Sequence, residues 1–236
     1  MIDPVGTPFS AYVFKLQAIM NPRHRDSTAF LRVCSGRFER DMVVRHHRLG
    51  SEVRLSRPHS LLAKERSTVD VAYPGDIIGI INPGIFAIGD TISMTNGFNF
   101  KPLPQFQPEL FARIHPTDVA KRKAFDKGMM QMAQEGTVQI LRSVSETESF
   151  VAAVGRLQFE VLQYRLRQEY RVETVLSPLP YECSAWLEGN PDAFKLPMDA
   201  MIVKDRLDRR VVLFPTQRSK TFAIERNPDH RLREMG

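Results

Sequence analysis

The sequence predicts two domains of different class, an all-β domain over residues 1–103 and an α+β domain over residues 104–236. Short apolar or alternating runs between turn residues fill residues 11–95, and apolar residues at helical spacing appear only after them. Residues 96–110 separate the two patterns and contain three prolines without periodicity, which predicts a linker. At 236 residues and 42% hydrophobic, the chain can bury a core in each domain.

The first domain is predicted to be a β-barrel or sandwich, because short strands at this spacing are typical of such folds. Its corners carry glycine or proline, which supply the positive or fixed φ of tight turns, as at Ser35-Gly36 and Pro74-Gly75. The predicted strands read AYVFKLQAI, STAFLRVCSG, MVVRHHRLGSEVRLS, GDIIGIIN and GDTISM.

The second domain has the predicted order β-α-β-β-α-β, which is the ferredoxin-like, split βαβ arrangement. Thr117 or Asp118 opens the first helix, and Gly136 closes it. Gly155 precedes the second helix and is expected to let the chain turn tightly. The predicted apolar faces are Val119, Phe125, Met129, Met132 and Ala133 in the first helix, and Leu157, Val161, Leu162 and Leu166 in the second.

Residues 181–236 are predicted to add strands at YECSAWLEG, AMIVKDRLDRRVVLFP and KTFAIERNP, with a short helix at PDAFKL. The pattern leaves open whether these strands extend the sheet or form a small third unit. The fold class that we predict assigns them to the second domain, as a ferredoxin-like domain with extra C-terminal strands.

Composition argues against membrane and secretory classes. The sequence has no run of about eighteen apolar residues and no N-terminal basic segment followed by an apolar one. Cys34 and Cys183 lie far apart and outside any CxxC pair, which favours free thiols in a reducing compartment over a disulfide or a metal site. We therefore expect a cytoplasmic protein.

Motifs for catalysis or metal binding are absent from the sequence, which has no GxxxxGK(S/T), GxGxxG, GxSxG or HExxH. The adjacent His46 and His47 would point to opposite faces of a strand, which is unsuitable for holding one metal ion. Asp76 and Asp90 follow glycines and are expected to form turns by bonding their own backbone. No catalytic, nucleotide-binding or metal-ligating residue is therefore predicted.

The net charge is +6, and residues 21–66 hold eleven basic against five acidic side chains. Arginine presents a planar fork that pairs with phosphate and stacks on bases, so this region favours contact with nucleic acid. The alternative is a solvated strand face whose arginines pair with Glu39, Asp41 and Glu52.

Several stretches resemble the translational GTPases. FLRVCSGRF after MNPRHRDSTA, then AYPGDIIGIIN and FAIGDTI, are similar to the β-barrel second domain of that family, and FVAAVGRLQFEVLQYRLRQEYRVE is similar to the third domain of elongation factor G. Over roughly residues 11–236 the chain resembles the bacterial class-II peptide-chain release factors, the release-factor-three family. NPRHRD is the most specific part, since the matching loop of elongation factor G is usually shorter and carries a glycine.

The resemblance implies a translation-factor-type β-barrel followed by an α/β domain, without the G domain that carries the family's phosphate loop and guanine-reading Asn-Lys-x-Asp. GTP and magnesium are expected in that missing domain. The resemblance therefore implies no cofactor and no catalysis in this chain, which would be part of a longer GTPase.

The function that the resemblance implies is GTP-dependent removal of class-I release factors after peptide release. The expected partners are the ribosome, the class-I release factors and the chain's own G domain, with a monomeric state and no membrane contact. Ribosomal RNA contacts are predicted at Arg23, His24, Arg25, Arg45 and Arg48, which could instead face the G domain or solvent. Two alternatives stay open: part of an elongation-factor-G-like or ribosome-protection GTPase, or a free-standing barrel module that binds ribosomal RNA.

Overall fold

A computed structural model describes residues 3–18, 27–56, 59–60, 69–101 and 106–235. The chain forms two compact units, Met1–Leu103 and Pro104–Gly236. Each unit has its own sheet and buries its own apolar core.

The described part of the first unit contains nine strands: β1 (Ser10–Ala18), β2 (Ser27–Ser35), β3 (Phe38–Glu39), β4 (Val43–His46), β5 (Ser51–Arg54), β6 (His59–Ser60), β7 (Val71–Ala72), β8 (Ile77–Asn82) and β9 (Thr91–Ser93). Seven of them form an antiparallel sheet in the order β5-β4-β9-β1-β2-β8-β6, and β3 pairs with β7. The predicted N-terminal β domain is confirmed, and each predicted run contains one of these strands or a hairpin of two.

Side chains alternate between the core and solvent along these strands, as a half-buried sheet requires. In β2, Leu31 and Val33 are fully buried, whereas Arg32 between them is exposed. Gly36 ends this strand at a φ of 65°, and a Cβ there would lie 2.4 Å from the backbone nitrogen of Phe9. Only glycine fits that corner, which confirms the turn predicted at Ser35-Gly36.

The predicted linker is partly wrong, because its first residues pack on the β unit. The backbone N–H of Phe100 donates to Oγ1 of Thr91 at 2.9 Å, and the Phe100 ring meets Tyr12 edge-on at 5.9 Å between centroids. The Phe98 ring lies 5.6 Å from the His47 ring. The aromatic side chains thus hold this stretch on the β unit, although its composition is that of a turn. Residues 102–105 lie outside the described residues.

The described part of the second unit is a single antiparallel sheet with three α-helices. Its strands lie in the order β13-β10-β12-β11-β15-β16-β14-β17 when numbered along the chain. These strands are β10 (Leu110–Pro116), β11 (Gln139–Ser143), β12 (Ser149–Ala153), β13 (Thr174–Leu179), β14 (Cys183–Glu188), β15 (Met201–Asp205), β16 (Arg210–Phe214) and β17 (Arg231–Glu234), and the helices are α1 (Arg122–Gln134), α2 (Arg156–Tyr170) and α3 (Gln217–Arg226). The order β10-α1-β11-β12-α2-β13 confirms the ferredoxin-like prediction.

The ends of α1 follow the predicted signals. The Asp118 carboxylate accepts from the N–H of Ala120 at 2.9 Å and opens a 3-10 turn that runs into α1. Gly136 follows the helix at a φ of 74°. Val119 was predicted on the apolar face but is 84% exposed, because it lies in the 3-10 turn and not in the helix.

The face that α2 buries differs from the predicted one. Phe159, Leu162 and Leu166 are buried, whereas Leu157 is 69% exposed and Val161 is 38% exposed. The buried stripe therefore has i, i+3, i+7 spacing and begins two residues later than predicted. These side chains pack against Phe125, Met129 and Met132 of α1, which are buried as predicted.

Gly155 does not make the tight turn that the sequence predicts. Its φ of −148° is extended backbone open to any residue, and a Cβ there would meet no atom within 4 Å. The start of α2 is held instead by Gln158, whose Oε1 accepts from the N–H groups of Val154 and Gly155. The glycine required for packing is Gly128 of α1, where a Cβ would lie 2.6 Å from Cδ2 of Leu166.

An ionic contact also joins α1 to α2. Nη1 of Arg165 lies 2.6 Å from Oε2 of Glu135, and its Nε lies 2.6 Å from Oε1 of Glu169. The Tyr170 hydroxyl donates to Gln131, and burial raises the pKa of Tyr170 to about 12. Burial opposes the charge on Arg165, but the two carboxylates outweigh it and raise the pKa of this guanidinium.

The C-terminal segment extends the same sheet, so no third unit forms. KTFAIERNP was predicted as a strand, and this prediction is wrong because most of it lies in α3. Phe222 and Ile224 alternate like strand residues but are both exposed, while Lys220 and Ala223 are buried at helical spacing. Oγ1 of Thr216 accepts from the N–H of Ser219 at 3.1 Å and caps the helix.

Buried side chains lie on both faces of the extended sheet. On the face opposite α1 and α2, Phe111 and Phe150 pack with Val211 and Leu213 from the C-terminal strands. On the other face of those C-terminal strands, Ala223 of α3 joins a separate cluster of buried side chains.

No helix among the described residues is long and apolar enough to cross a membrane. Cys34 and Cys183 are free and partly buried, and burial raises the pKa of both thiols.

Candidate nucleic-acid interface

The predicted RNA-contacting residues fall in two places. Arg23, His24 and Arg25 lie outside the described residues. Arg45 lies on β4, and Arg48 lies in the turn between β4 and β5. The structure thus brings Arg45 and Arg48 to one hairpin, and contact of all five residues with RNA stays a prediction.

Arg45 lies on the outer face of the hairpin. Val44 and His46 of β4 are buried, so the alternation turns Arg45 to solvent. Its Cα partners in the neighbouring strands are Glu52 and Ser93. Among the described residues Arg45 makes no ion pair, which leaves its guanidinium available for a phosphate.

The alternative that arginines pair with nearby carboxylates holds for other side chains. Arg37 lies 3.3 Å from Glu39, and Arg40 lies 3.6 Å from Asp41. All four side chains are about half exposed or more, so these contacts contribute little stability.

A carboxylate, a guanidinium and an imidazole meet where the β4–β5 turn reaches the turn before β9. Oδ1 of Asp90 accepts from Nε of Arg48 at 2.6 Å, and Oδ2 accepts from Nη2 at 2.9 Å. Nε2 of His46 lies 2.9 Å from Oδ2 of the same carboxylate. His46 and Asp90 are 0% and 3% exposed, whereas half of the Arg48 side chain is exposed. We call these three residues the Asp90 cluster.

Backbone groups orient the side chains of the cluster. The N–H of Leu49 donates to Nδ1 of His46 at 3.3 Å, which turns Nε2 of the ring towards Asp90. The N–H of Ala87 donates to Oδ2 of Asp90 at 2.7 Å, which confirms the predicted turn role of this aspartate. Burial opposes ionisation of the carboxyl, but its contacts with His46, Arg48 and Ala87 outweigh burial and hold the pKa of Asp90 well below its usual range.

The cluster limits what Arg48 can offer to a ligand. Nη2 also donates to the carbonyl oxygen of Ile85 at 2.8 Å, so Nε and Nη2 are both engaged within the unit. One guanidinium nitrogen, Nη1, has no hydrogen bond within the described residues. Arg48 therefore stabilises the hairpin that carries Arg45, and only its Nη1 could donate to an external anion.

His47 points away from His46, as predicted. Its Nε2 lies 2.8 Å from Oγ of Ser93, and its ring packs on Phe98. No group of three or more His, Cys, Asp or Glu side chains in the described ranges could hold a metal ion. The Asp90 cluster itself was missed by sequence reasoning, because nothing in the local pattern signals that Asp90 reaches His46 and Arg48.

The two units form a β domain with an arginine-bearing hairpin, followed by a ferredoxin-like domain, and the family models assign this pair to the translation factors. Residues 8–95 match the family model described as elongation factor G domain 2. Residues 100–223 match the model described as class II release factor RF3, C-terminal domain, which spans more than half of the chain. The chain belongs to the class II release factor RF3 family.

Curated relatives agree with this family. The chain is 51% identical to peptide chain release factor 3 of Synechocystis, over 92% of this chain and 40% of that protein. It is 49% identical to the Nostoc punctiforme protein of that name, over 90% and 40%, and 46% identical to the Microcystis aeruginosa one, over 100% and 44%. The chain thus spans about 40% of the length of these relatives.

A solved structure shares the fold. The crystal structure of ttk003000868 from Thermus thermophilus has a TM-score of 0.62 and covers 78% of this chain and 29% of that one. The sequence identity is 20%, so this likeness concerns the fold alone.

Proposed function

We propose that this chain is the ribosome-docking part of a GTP-dependent translation termination factor, which promotes dissociation and recycling of class-I release factors after peptide release. The observation that carries the proposal is the release-factor match over residues 100–223, following a translation-factor barrel match over residues 8–95. An elongation-factor-G-like function is supported by the barrel match alone. A free-standing barrel module has less support, because the relatives align across both units.

GTP and magnesium are implied by the family, and the residues of this chain do not fit them. The sequence holds no phosphate-loop motif, and the described carboxylates form no group that could hold a cation. In our proposal the nucleotide and its hydrolysis belong to the part of the relatives' length that this chain does not span. The intact factor would be a cytoplasmic GTPase that acts as a monomer.

In this proposal, the charge of Arg45 and the rigidity of its hairpin allow the chain to dock on the ribosome. Ribosomal RNA presents dense phosphate, and the outward guanidinium of Arg45 suits it because no described carboxylate lies within 4 Å of it. The Asp90 cluster fixes the hairpin through buried contacts. Arg45 takes no part in these contacts, so its guanidinium is still able to bind a phosphate. Each unit has its own core and can move as a body when nucleotide state changes elsewhere.

Co-sedimentation of this chain with purified bacterial ribosomes over a salt series tests the proposal. We expect binding that weakens steeply with salt, because phosphate contacts release counterions. A variant with Arg45→Glu should bind more weakly, and the control with Arg37→Glu and Arg40→Glu, whose arginines already pair with carboxylates, should bind nearly normally. Absence of binding at every salt concentration would contradict docking by this part of the factor.

A further inference from the structure

A groove lies between α3 and the loop before β15 in the second unit. Its apolar wall is formed by Leu196 and Met198 of the loop and by Phe222 of α3. Met198 is fully exposed and Phe222 is 49% exposed. Adjacent apolar side chains exposed in this way are typical of a surface that binds a partner. We call this feature the α3 groove.

Basic side chains frame the apolar centre of the groove. Arg218, Phe222 and Arg226 succeed each other at i, i+4 and i+8, so they follow one ridge of α3. A rise of about 1.5 Å per residue puts the two arginine backbones roughly 12 Å apart along the helix. The Arg226 guanidinium lies 5.2 Å from the centre of the Phe222 ring, which orients it over the apolar patch.

The arginines of the groove are not neutralised within the described residues. Neither Arg218 nor Arg226 lies within 4 Å of a described carboxylate, and neither donates a side-chain hydrogen bond. Asp199, the one acid that lines the groove, accepts from the hydroxyl of Ser219 at 3.2 Å. The groove thus presents an apolar centre between two positive charges.

The loop side of the groove is rigidly attached to α3. Asn227, 4% exposed, accepts from the N–H of Lys195 at 2.7 Å and donates to the carbonyl oxygens of Lys195 and Ala223. The cap formed by Thr216 fixes the other end of the helix. The two walls therefore keep their spacing without a ligand, which lowers the entropic cost of binding.

We propose that the α3 groove binds an acidic amphipathic helix of a protein partner. An apolar side chain of that helix would insert between Phe222 and Met198, and carboxylates about two turns apart would pair with Arg218 and Arg226. The helix-in-groove mode requires such a combination of an apolar anchor and flanking charges. The inference concerns the C-terminal unit alone and stands whether or not the chain docks on RNA.

Charge and apolar surface together favour protein over nucleic acid here. Single-stranded RNA needs aromatic faces for its bases, and among the described residues that line the groove the only aromatic ring is Phe222, which Arg226 already approaches. Leu196 and Met198 offer flexible aliphatic surface, which suits the side chains of a helix.

Fluorescence anisotropy with a labelled synthetic helix tests this inference. The probe is an alanine- and glutamine-based peptide with two glutamates two turns apart and a leucine midway between them. Its controls are the same peptide with lysines for the glutamates, and an oligouridylate RNA of matched length. The chain is tested unmodified, with Phe222→Ala, and with Arg218→Glu plus Arg226→Glu. Lys123→Glu plus Lys127→Glu on exposed positions of α1 is the matched charge control.

We expect the acidic peptide to bind at least tenfold more tightly than the lysine peptide. Phe222→Ala and the α3 charge reversal should each weaken it about tenfold, the α1 control should not, and the α3 reversal should gain affinity for the lysine peptide. All the altered side chains are exposed, so folding, checked by circular dichroism, should be kept. Equal binding of both peptides, equal loss with the α1 control, or oligouridylate binding that only the α3 reversal removes would each overturn the proposal.

Discussion

Nε2 of His46 lies 2.9 Å from Oδ2 of Asp90, deep in the barrel unit. This contact joins β4 to the turn before β9, and Arg48 closes it from the solvent side. A buried carboxylate is costly unless charged or hydrogen-bonded partners surround it, and Asp90 has three. The hairpin that carries Arg45 therefore depends on the charge of Asp90.

Asp90→Asn should make the barrel unit less stable at neutral pH and less sensitive to acid. The folded pKa of Asp90 lies below the unfolded value, so ionisation stabilises the fold fully above about pH 4. This contribution decreases as the pH falls below about 4, towards the folded pKa. We expect a loss of about 2 kcal/mol at pH 7, with a smaller difference between variant and parent at pH 3. Urea unfolding followed by far-ultraviolet circular dichroism measures both.

The single tryptophan provides an internal control for this experiment. Trp186 lies in β14 of the second unit, so its fluorescence reports unfolding of that unit. Its unfolding midpoint should be the same in Asp90→Asn and in the parent chain. An unchanged dichroism transition at pH 7 would show that Asp90 does not stabilise the barrel.

Arg45 and Arg48 should separate into a binding role and a stabilising role. Arg45→Gln removes one positive charge and is expected to weaken ribosome co-sedimentation and reduce the salt slope by about one, with little change in the urea midpoint. Arg48→Met removes one of the three partners of a 3% exposed carboxylate and should lower the stability of the barrel by about 1 kcal/mol. If the Arg48 variant lost all ribosome binding while keeping its stability, the assignment of the two roles would be reversed.

Gly128→Ala should destabilise the second unit by about 1–3 kcal/mol. The new Cβ would lie 2.6 Å from Cδ2 of Leu166, which is fully buried and has little room to move. Gly155→Ala is the control, and it should change stability by less than about 0.5 kcal/mol because its Cβ meets no atom. The midpoint of Trp186 fluorescence on urea unfolding compares the two. Combining Gly128→Ala with Leu166→Ala should cost less than the sum of the single changes, since the clash disappears.

Arg165→Met should destabilise the second unit by about 2 kcal/mol. It leaves Glu135, whose side chain is 9% exposed, without the guanidinium 2.6 Å away. Arg167→Met on the same helix is the matched control, since Arg167 and Glu173 are both more than half exposed. The control should lose less than about 1 kcal/mol by tryptophan fluorescence. Equal losses of unfolding free energy for the two variants would mean that the Arg165–Glu135 pair stabilises the unit no more than an exposed ion pair does.

Local sequence patterns predicted most of the fold, because helix caps, turns and the apolar period of a strand or helix depend on residues that are neighbours in sequence. The 3-10 turn that Asp118 opens before α1 and the glycine, Gly136, that follows α1 agree with capping chemistry, and the order of strands and helices follows from changes in apolar period. The failures have a different origin. Phe222 and Ile224 alternate like a strand, but burial of Ala223 and the cap at Thr216 made this segment a helix.

The candidate site was predicted less completely than the fold. The outward position of Arg45 follows from alternation around Val44 and His46. The engagement of Arg48 does not, because Asp90 comes from a turn far along the chain, and no local rule pairs them. Contacts of this kind depend on how strands are ordered in the sheet, which short-range periodicity does not specify.

Arg23→Glu combined with Arg25→Glu should weaken ribosome association with little loss of stability. The prediction rests on sequence, since both residues lie outside the described part of the chain. They lie within residues 21–66, which hold eleven basic against five acidic side chains, and arginine pairs with phosphate through a planar fork. The measurement is co-sedimentation with ribosomes at low salt, beside urea unfolding of the same variant. A lower unfolding midpoint with unchanged ribosome binding would mean that these arginines serve contacts within the protein. Weaker binding with an unchanged midpoint would extend the RNA-contacting surface from Arg45 to this segment.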